Sequence, residues 1–333
     1  MTASLGLGLT NACNLSCAHC YRPKPPMTYL SPQDVRAVCD SIDIGGVNLG
    51  TGENALHPQF REIVDDLLER SLRVSLTSNG YSIGQLPDEV LTRLNDIEVS
   101  VDFPDRERFD AFRGDGAWDT AWAALDRCRD LGLGTTVLAV MMKANHRDLS
   151  ALAKVAAEHG APLRVNVYQP VHSTAFIPTY DQFWTAIRDL LDNTTLIACT
   201  EPVVRAALGL PRLDLRCGAT SLRITPGGQL LPCVYWPEPA GDVSLVVERG
   251  DAIFDLPGFS HLGEEPDVCR ACDLFDNCGG GCASRRRLAW GTLASPDPYC
   301  PKKGNIRLTL PARDGDDAGR LHTGNVCTVL VRR

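Results

Sequence analysis

Up to residue 208 the sequence repeats one rhythm, a short apolar run followed by an amphipathic segment. Nothing else in the chain constrains the fold as strongly. Strands are predicted over 5–10, 46–49, 73–77, 97–101, 135–141 and 163–168. Helices follow them, including 58–71, 88–94, 118–131, 146–159, 180–191 and 202–208. Ser31 before Pro32 reads as a helix start, an N-cap with proline at the first helical position, leading to Val35, Val38 and Ile42. Phe60, Ile63, Val64, Leu67 and Leu68 fall on one face at helical spacing. Such alternation calls for a parallel sheet with right-handed crossovers and helices packed outside it. Six units are fewer than the eight that close a barrel, so the expected fold is α/β, a partial (β/α)6 TIM-like barrel. Function in such folds sits in the loops after the strands.

Past residue 210 the helical periodicity fades, and glycine, proline and cysteine become dense. The chain therefore divides into a barrel over 1–210, a cysteine-rich, loop-rich domain over 211–303 and a tail over 304–333. In the tail, apolar runs at 305–310 and 326–332 flank a polar turn at 313–320 and predict a terminal hairpin.

The 333 residues suffice to bury a core without disulfides or metal, so the 14 cysteines need another explanation. At about 4% of residues they are too sparse for a disulfide scaffold. No secretory signal and no run long enough to cross a bilayer is present. A cytoplasmic, reducing setting without membrane attachment is expected, where clustered cysteines hold metal or do chemistry. The net charge of −8, from 33 Lys and Arg against 41 Asp and Glu, lacks the footprint of a nucleic-acid binder. The one dense basic run, Arg285-Arg286-Arg287, reads as a solvated surface or as a clamp beside the cysteines.

Cys13, Cys17 and Cys20 follow the first strand directly. Three thiolates on one loop can converge on a metal centre, and thiolates are the usual ligands of iron–sulfur clusters. Three protein ligands on a four-iron cubane leave one iron open, the mark of a reacting site. A zinc site would need a fourth ligand, for which His19 is poorly placed.

The spacing Cys13-x3-Cys17-x2-Cys20, with aromatic His19 before the third cysteine, resembles the signature of the radical SAM superfamily. The resemblance implies a 4Fe-4S cluster whose open iron binds S-adenosyl-L-methionine (SAM), and cleavage of that sulfonium to a 5′-deoxyadenosyl radical. It also implies a partial (β/α)6 barrel. Gly50-Thr51-Gly52-Glu53-Asn54 stands where the family has Gly-Gly-Glu-Pro, with Gly52 and Glu53 matching and Thr51 and Asn54 departing. By that match Glu53 would accept a hydrogen bond from the methionyl amine. Thr77-Ser78-Asn79-Gly80 resembles the Thr-Asn-Gly turn after the third strand with one insertion. Ser100, Arg113 and Asn145 match further family positions after the fourth and fifth strands, where serine and arginine meet the ribose or carboxylate. The cofactor contacts implied are thus His19, Gly52, Glu53, Asn79, Ser100, Arg113 and Asn145.

The later cysteines run Cys217-x10-Gly228-x4-Cys233, then Cys269-x2-Cys272-x5-Cys278-x3-Cys282, then Cys300. This layout resembles the SPASM extension of the superfamily, which carries two auxiliary 4Fe-4S clusters. A zinc ribbon would account for Cys269-x2-Cys272 alone. By the family pattern Cys269, Cys272, Cys278 and Cys300 hold the outer cluster, and Cys217, Cys233 and Cys282 the inner one. The inner cluster then lacks a fourth thiolate, since Arg212 and Asp214 occupy the region where some relatives have another cysteine. Cys199, Cys327 or an open iron remain as alternatives. Cys39 and Cys128 lie in helical patterns and read as ordinary buried thiols.

Auxiliary clusters suit an oxidoreductase that returns an electron after hydrogen abstraction. The expected reaction is dehydrogenation of a secondary alcohol on a small natural-product intermediate, an aminocyclitol or amino sugar, as in antibiotic biosynthesis. One alternative is a maturase that cross-links or otherwise modifies a ribosomally made peptide. Because Leu5 already belongs to the first strand, that reading expects a separate leader-binding partner. Another alternative is a passive iron–sulfur electron-transfer or zinc protein. A low-potential donor such as flavodoxin or ferredoxin would supply electrons. Asn166, Tyr168, Gln169, His172 and Tyr235 are candidate substrate contacts. His172, Tyr235 and Asp102 are candidate catalytic proton acceptors.

Overall fold

The computed structural model describes residues 2–22, 26–213, 217–314 and 327–333. Six parallel strands, β1 (Ala3–Leu7), β2 (Ile44–Leu49), β3 (Arg73–Ser78), β4 (Asp96–Ser100), β5 (Thr135–Met141) and β6 (Leu163–Val167), lie side by side in chain order. Between them run α1 (Pro32–Ser41), α2 (Phe60–Glu69), α3 (Tyr81–Gln85), α4 (Asp88–Leu91), α5 (Arg106–Arg113), α6 (Ala117–Asp130) and α7 (Leu149–Glu158). This is the mixed α/β, partial-barrel architecture that the alternation requires.

Local chemistry accounts for the elements. Ser31 caps α1, its hydroxyl accepting from the amide of Asp34 at 3.1 Å, a bond type that contributes about 1 kcal/mol. In α2, Phe60, Ile63, Val64, Leu67 and Leu68 are all buried against the sheet. The core is continuous from β1 to β6 and includes Leu5, Val47, Val74, Val99, Val137 and Val165.

The second half holds what local pattern does not reveal. After α8 (Tyr180–Asp192) comes a seventh strand, β7 (Thr195–Cys199), then α9 (Pro202–Ala207). β8 (Ser221–Ile224) adds to the free side of β1 in parallel, and β9 (Gln229–Leu231) and β10 (Gly241–Asp242) extend that edge antiparallel. Short helices α10 (Val243–Arg249), α11 (Pro257–Ser260), α12 (Phe275–Cys278) and α13 (Ala283–Trp290) follow.

The tail departs from the hairpin expectation. Residues 305–310 form no strand; the amide of Leu308 instead meets the carbonyl of Ala207 at 2.9 Å. β11 (Thr328–Arg332) runs antiparallel between β6 and β7, with Val329 opposite Val165 on one side and Cys199 on the other. Its residues Thr328 to Val331 are buried, so burial against the sheet outweighs local hairpin pairing. The remainder of the expected polar turn, 315–320, lies outside the described residues.

Candidate active site

The loop carrying Cys13, Cys17 and Cys20 leaves the carboxyl end of β1 and is pinned by its own side chains. Asn11 donates to the carbonyl of Pro26 at 2.9 Å and accepts from the amide of Thr28 at 2.8 Å. Arg22 donates to the carbonyls of Leu15 and Asn11 at 2.9 and 3.3 Å. Burial pushes all three thiols up, so a metal that binds here must displace their protons.

Gly52 lets the β2 loop approach this cysteine loop. Its φ is +69°, and an added Cβ would stand 2.2 Å from the carbonyl oxygen of Thr10. The next amide, of Glu53, donates to the carbonyl of Ala12 at 2.8 Å. The carboxylate of Glu53 is 1% exposed. Its Oε1 accepts from the Ser78 hydroxyl at 2.5 Å, the Ser82 amide at 2.9 Å and the Ser82 hydroxyl. Oε2 accepts only the Asn79 amide at 3.0 Å among the described residues. A carboxylate oxygen has room for a second donor, so Glu53 retains capacity for a cationic amine. Asn79 ties the turn to the cysteine loop, donating to Asn14 Oδ1 at 2.9 Å with Cys13 Sγ 3.7 Å away.

Asp102 and Arg113 form a buried pair, Nη2 to Oδ2 at 2.6 Å and Nε to Oδ2 at 2.8 Å. Asp102 Oδ1 takes the amide of Val140 at 2.9 Å, and His19 Nε2 lies 3.7 Å from Oδ2. Burial alone would raise the Asp102 pKa, but Arg113 and His19 outweigh it and hold the carboxyl below the usual range. Asp102 is 0% exposed and does not face the cavity. Its expected role as a proton acceptor is therefore corrected to that of an anchor for Arg113. Burial lowers the His19 pKa, against the pull of Asp102, and its ring stacks on Phe112 at 4.9 Å.

Asn145 is also corrected. Its side chain accepts from the Met142 amide at 2.7 Å and donates to the carbonyls of Asp102 and Val140, both at 2.9 Å. Both amide hydrogens and one bond to the oxygen go into shaping the β5 turn, away from the cavity.

A cavity of about 400 Å³ opens between the strand ends and reaches the segment 234–239. Cys13, Cys17, Cys20, His19, Gly52, Glu53, Asn79, Ser100 and Arg113 all line it, as do Asn166, Tyr168, Gln169, His172 and Tyr235. Tyr168 is committed to the carbonyl of Ser173 at 2.8 Å. Gln169 is 4% exposed, and its amide oxygen has no hydrogen-bond partner among the described residues. His172 is exposed at the rim, with Nε2 3.1 Å from the carbonyl of Arg22. When Nε2 donates there, Nδ1 keeps a free lone pair. Burial, then neighbouring Cys233 and Tyr21, raise the Tyr235 phenol well above its ordinary value. The Tyr235 hydroxyl is thus a hydrogen-bonding group rather than a base; its ring meets Tyr21 edge-on at 5.4 Å.

The later cysteines gather around two smaller spaces. Cys269, Cys272, Cys278 and Cys300 ring a tight cavity of about 20 Å³. Cys217, Cys278, Cys282 and Cys327 line another of about 90 Å³, and Cys233 stands beside Cys217. Cys278 borders both, because Gly279, Gly280 and Gly281 all take positive φ (55°, 86° and 90°) and turn the chain sharply before Cys282. Among the described residues no three His, Cys, Asp or Glu side chains close around a point as one metal ion requires. The thiol sets surround larger spaces, and all-thiol donor sets are those iron–sulfur clusters use. Cys39 and Cys128 lie apart in α1 and α6, and burial pushes each to about 11.

The model of the radical SAM superfamily matches residues 7–156, the stretch containing the three-cysteine loop and β2 to β5. Those residues form a radical SAM domain. The cofactors of that family are a 4Fe-4S cluster and SAM. A mycofactocin maturase, MftC of Mycobacterium tuberculosis H37Rv, is 29% identical, the match covering 88% of this chain and 81% of that one. A PqqA peptide cyclase of Ruegeria pomeroyi is 24% identical over 88% and 86%. Among solved structures, anSMEcpe with bound AdoMet superposes with a TM-score of 0.72 at 16% identity, over 92% of each chain. SuiB of Streptococcus suis bound to precursor peptide SuiA gives 0.70 at 16% identity, over 90% and 76%.

One feature of this radical SAM barrel escaped the sequence reading. A polar ladder crosses its interior: Asn48 donates to Thr77 Oγ1 at 3.2 Å, Thr77 to Glu98 Oε2 at 2.7 Å, and Arg164 pairs with Glu98 Oε1. Glu98 and Arg164 are each 1% exposed. A charge in mid-strand at both positions was the available signal. Arg285 and Arg286 are likewise buried, not solvated; Arg285 bridges Glu201 and Asp297 at 2.6 and 2.7 Å.

Proposed function

We propose that this radical SAM enzyme is a peptide maturase with a SPASM-type extension, acting on a ribosomally made precursor with help from a separate leader-binding partner. The observation that carries the reading is the shape of the site. The cavity of about 400 Å³ runs from the cysteine loop to residues 234–239 and holds an unpartnered, buried amide oxygen at Gln169. An amide acceptor left without a donor costs about 1–3 kcal/mol until a ligand supplies one, and a peptide N–H is such a donor. Relatives aligned over most of the chain add support, being named a mycofactocin maturase and a peptide cyclase. They favour this reading over dehydrogenation of a small secondary alcohol.

Cys13, Cys17 and Cys20 would hold the radical cluster, with Glu53 accepting from the methionyl amine and Arg113 meeting the carboxylate or ribose. The bound, reduced cluster with SAM supplies a 5′-deoxyadenosyl radical able to take a hydrogen atom. Gln169 would orient the peptide, His172 Nδ1 would accept a proton, and Tyr235 would donate a hydrogen bond. Cys269, Cys272, Cys278 and Cys300 would hold an outer auxiliary cluster; Cys217, Cys233 and Cys282 would belong to an inner one.

The test is a reaction of reduced holoenzyme and SAM with synthetic precursor peptides encoded near its gene, compared with deuterated polyols. Peptide-dependent 5′-deoxyadenosine and a changed peptide mass support the proposal. Deuterium passing from a polyol into 5′-deoxyadenosine, with every peptide inert, would return the small-alcohol reading.

A further inference from the structure

We propose that Cys327, delivered by the C-terminal strand β11, is the fourth protein ligand of the inner auxiliary cluster, which is therefore closed to substrate. The inference rests on the auxiliary clusters of the proposed function. Cys327 lines the cavity of about 90 Å³ together with Cys217 and Cys282. Its thiol neighbours that of Cys282, while Cys217 neighbours Cys233. Cys278 borders the same space from the outer set, and Cys233 stands beside Cys217, so Cys217, Cys233, Cys282 and Cys327 gather from three distant parts of the chain the four thiols a 4Fe-4S cluster takes from cysteine alone.

The sheet determines where Cys327 stands. Thr328, the next residue, is locked on both sides. Its carbonyl accepts the amides of Thr200 and Glu201 at 2.9 and 3.2 Å, and its hydroxyl reaches the carbonyl of Val165 at 3.1 Å. Immediately before this lock, Cys327 adopts φ +80°, a left-handed conformation uncommon for a residue with a side chain. Such a conformation is strained and persists where surrounding contacts over-determine it.

The competing ligands fail on geometry. Cys199 sits in β7 at 0% exposure, in the apolar core opposite Val329, and its thiol donates to the carbonyl of Glu201 at 3.8 Å. It does not line the cavity. Arg212 does, but a guanidinium cannot ligate iron, and it is paired with Glu265 at 2.8 Å. An open iron is unnecessary where a fourth thiol is already in place. Because β11 also joins β6 to β7, loading this cluster and seating the strand become one event.

The test compares full-length Cys327→Ala, Cys327→Ser and Cys199→Ala after anaerobic reconstitution, read by iron content and the electron paramagnetic resonance signal of the reduced protein. Wild type should carry about 12 iron atoms per chain. Cys327→Ala should fall to about 8, or keep them with a signal that shifts when 2-mercaptoethanol fills the vacated position. Cys199→Ala should do neither. Should the alanine variant misfold, the near-isosteric serine answers instead, through an altered signal and midpoint potential. Unchanged iron and signal in both Cys327 variants, or loss in Cys199→Ala, overturns the assignment. Wild type holding only about 4 iron atoms would instead refute the auxiliary clusters themselves.

Discussion

Arg113 reaches Asp102 from the last turn of α5, with Nη2 2.6 Å from Oδ2 and both side chains buried. The pair converts a polar residue after β4 from a reactive group into a support. Asp102→Asn should therefore act through Arg113. Removing one member of a buried ion pair costs about 3–5 kcal/mol, measurable as a lower urea midpoint. Residual 5′-deoxyadenosine formation should need more SAM, while its pH profile keeps its shape. A lost limb in that profile would restore Asp102 as a proton acceptor.

Gly52 gives a sharper test of loop packing. Alanine there meets both a left-handed φ of +69° and a carbonyl oxygen at 2.2 Å. Gly52→Ala should displace the three-cysteine loop, removing about 4 iron atoms per chain and all 5′-deoxyadenosine formation. Gly84→Ala is the control: nothing lies within 4 Å of its added Cβ, and alanine should stabilise α3 by up to about 1 kcal/mol. Equal behaviour of the two variants would mean that the close approach of Gly52 is unimportant.

The six parallel strands were legible because each carries its own apolar run and its neighbour follows within one crossover. β7 was not, because its partner β11 begins 128 positions beyond Thr200. Local patterning carries no trace of such a pairing, and the tail accordingly read as a hairpin. The same limit governed the site. Cys13, read from its place after a strand, and Glu53 and Arg113, read from the family resemblance, all line the cavity. Asp102 and Asn145 obey the same spacing, yet their side chains satisfy backbone groups. A polar residue after a strand can serve substrate or turn equally well, and only three-dimensional partners decide between them.

Gln169 should separate substrate binding from cofactor chemistry. Gln169→Leu removes the unpartnered amide oxygen from a side chain that is 4% exposed. SAM cleavage without peptide should be unchanged. Half-saturation by a precursor peptide should rise about tenfold, as expected for one lost hydrogen bond. An unaltered peptide response would remove Gln169 from the substrate site.

The buried ladder makes a prediction about stability with a functional echo. Glu98 accepts from Thr77 and pairs with Arg164, whose other carboxylate neighbour, Asp96, is 3.8 Å away. Glu98→Gln strips the near charge from a guanidinium that burial already disfavours, with Asp96 the opposing influence. The loss should approach about 3–5 kcal/mol in urea unfolding.

Arg285 offers the complementary case beside the inner cysteines. Its guanidinium holds Glu201 at 2.6 Å and Asp297 at 2.7 Å, while Asp297 accepts the amide of Cys282 at 2.9 Å. Arg285→Met would leave two buried carboxylates facing each other without a cation, and Asp297 would lose its orientation toward Cys282. The consequence should be selective. The bonds of Arg285 go to Glu201 and Asp297 and not to the three-cysteine loop among the described residues, so 5′-deoxyadenosine should still form without substrate. Auxiliary iron should fall, toward about 8 atoms per chain, and substrate turnover should fall with it. Arg285→Lys should retain the charge but only part of the bridging, since one ammonium cannot span both carboxylates as a planar fork does. An intermediate iron content in Arg285→Lys would identify geometry, beyond charge alone, as what holds Cys282 in place.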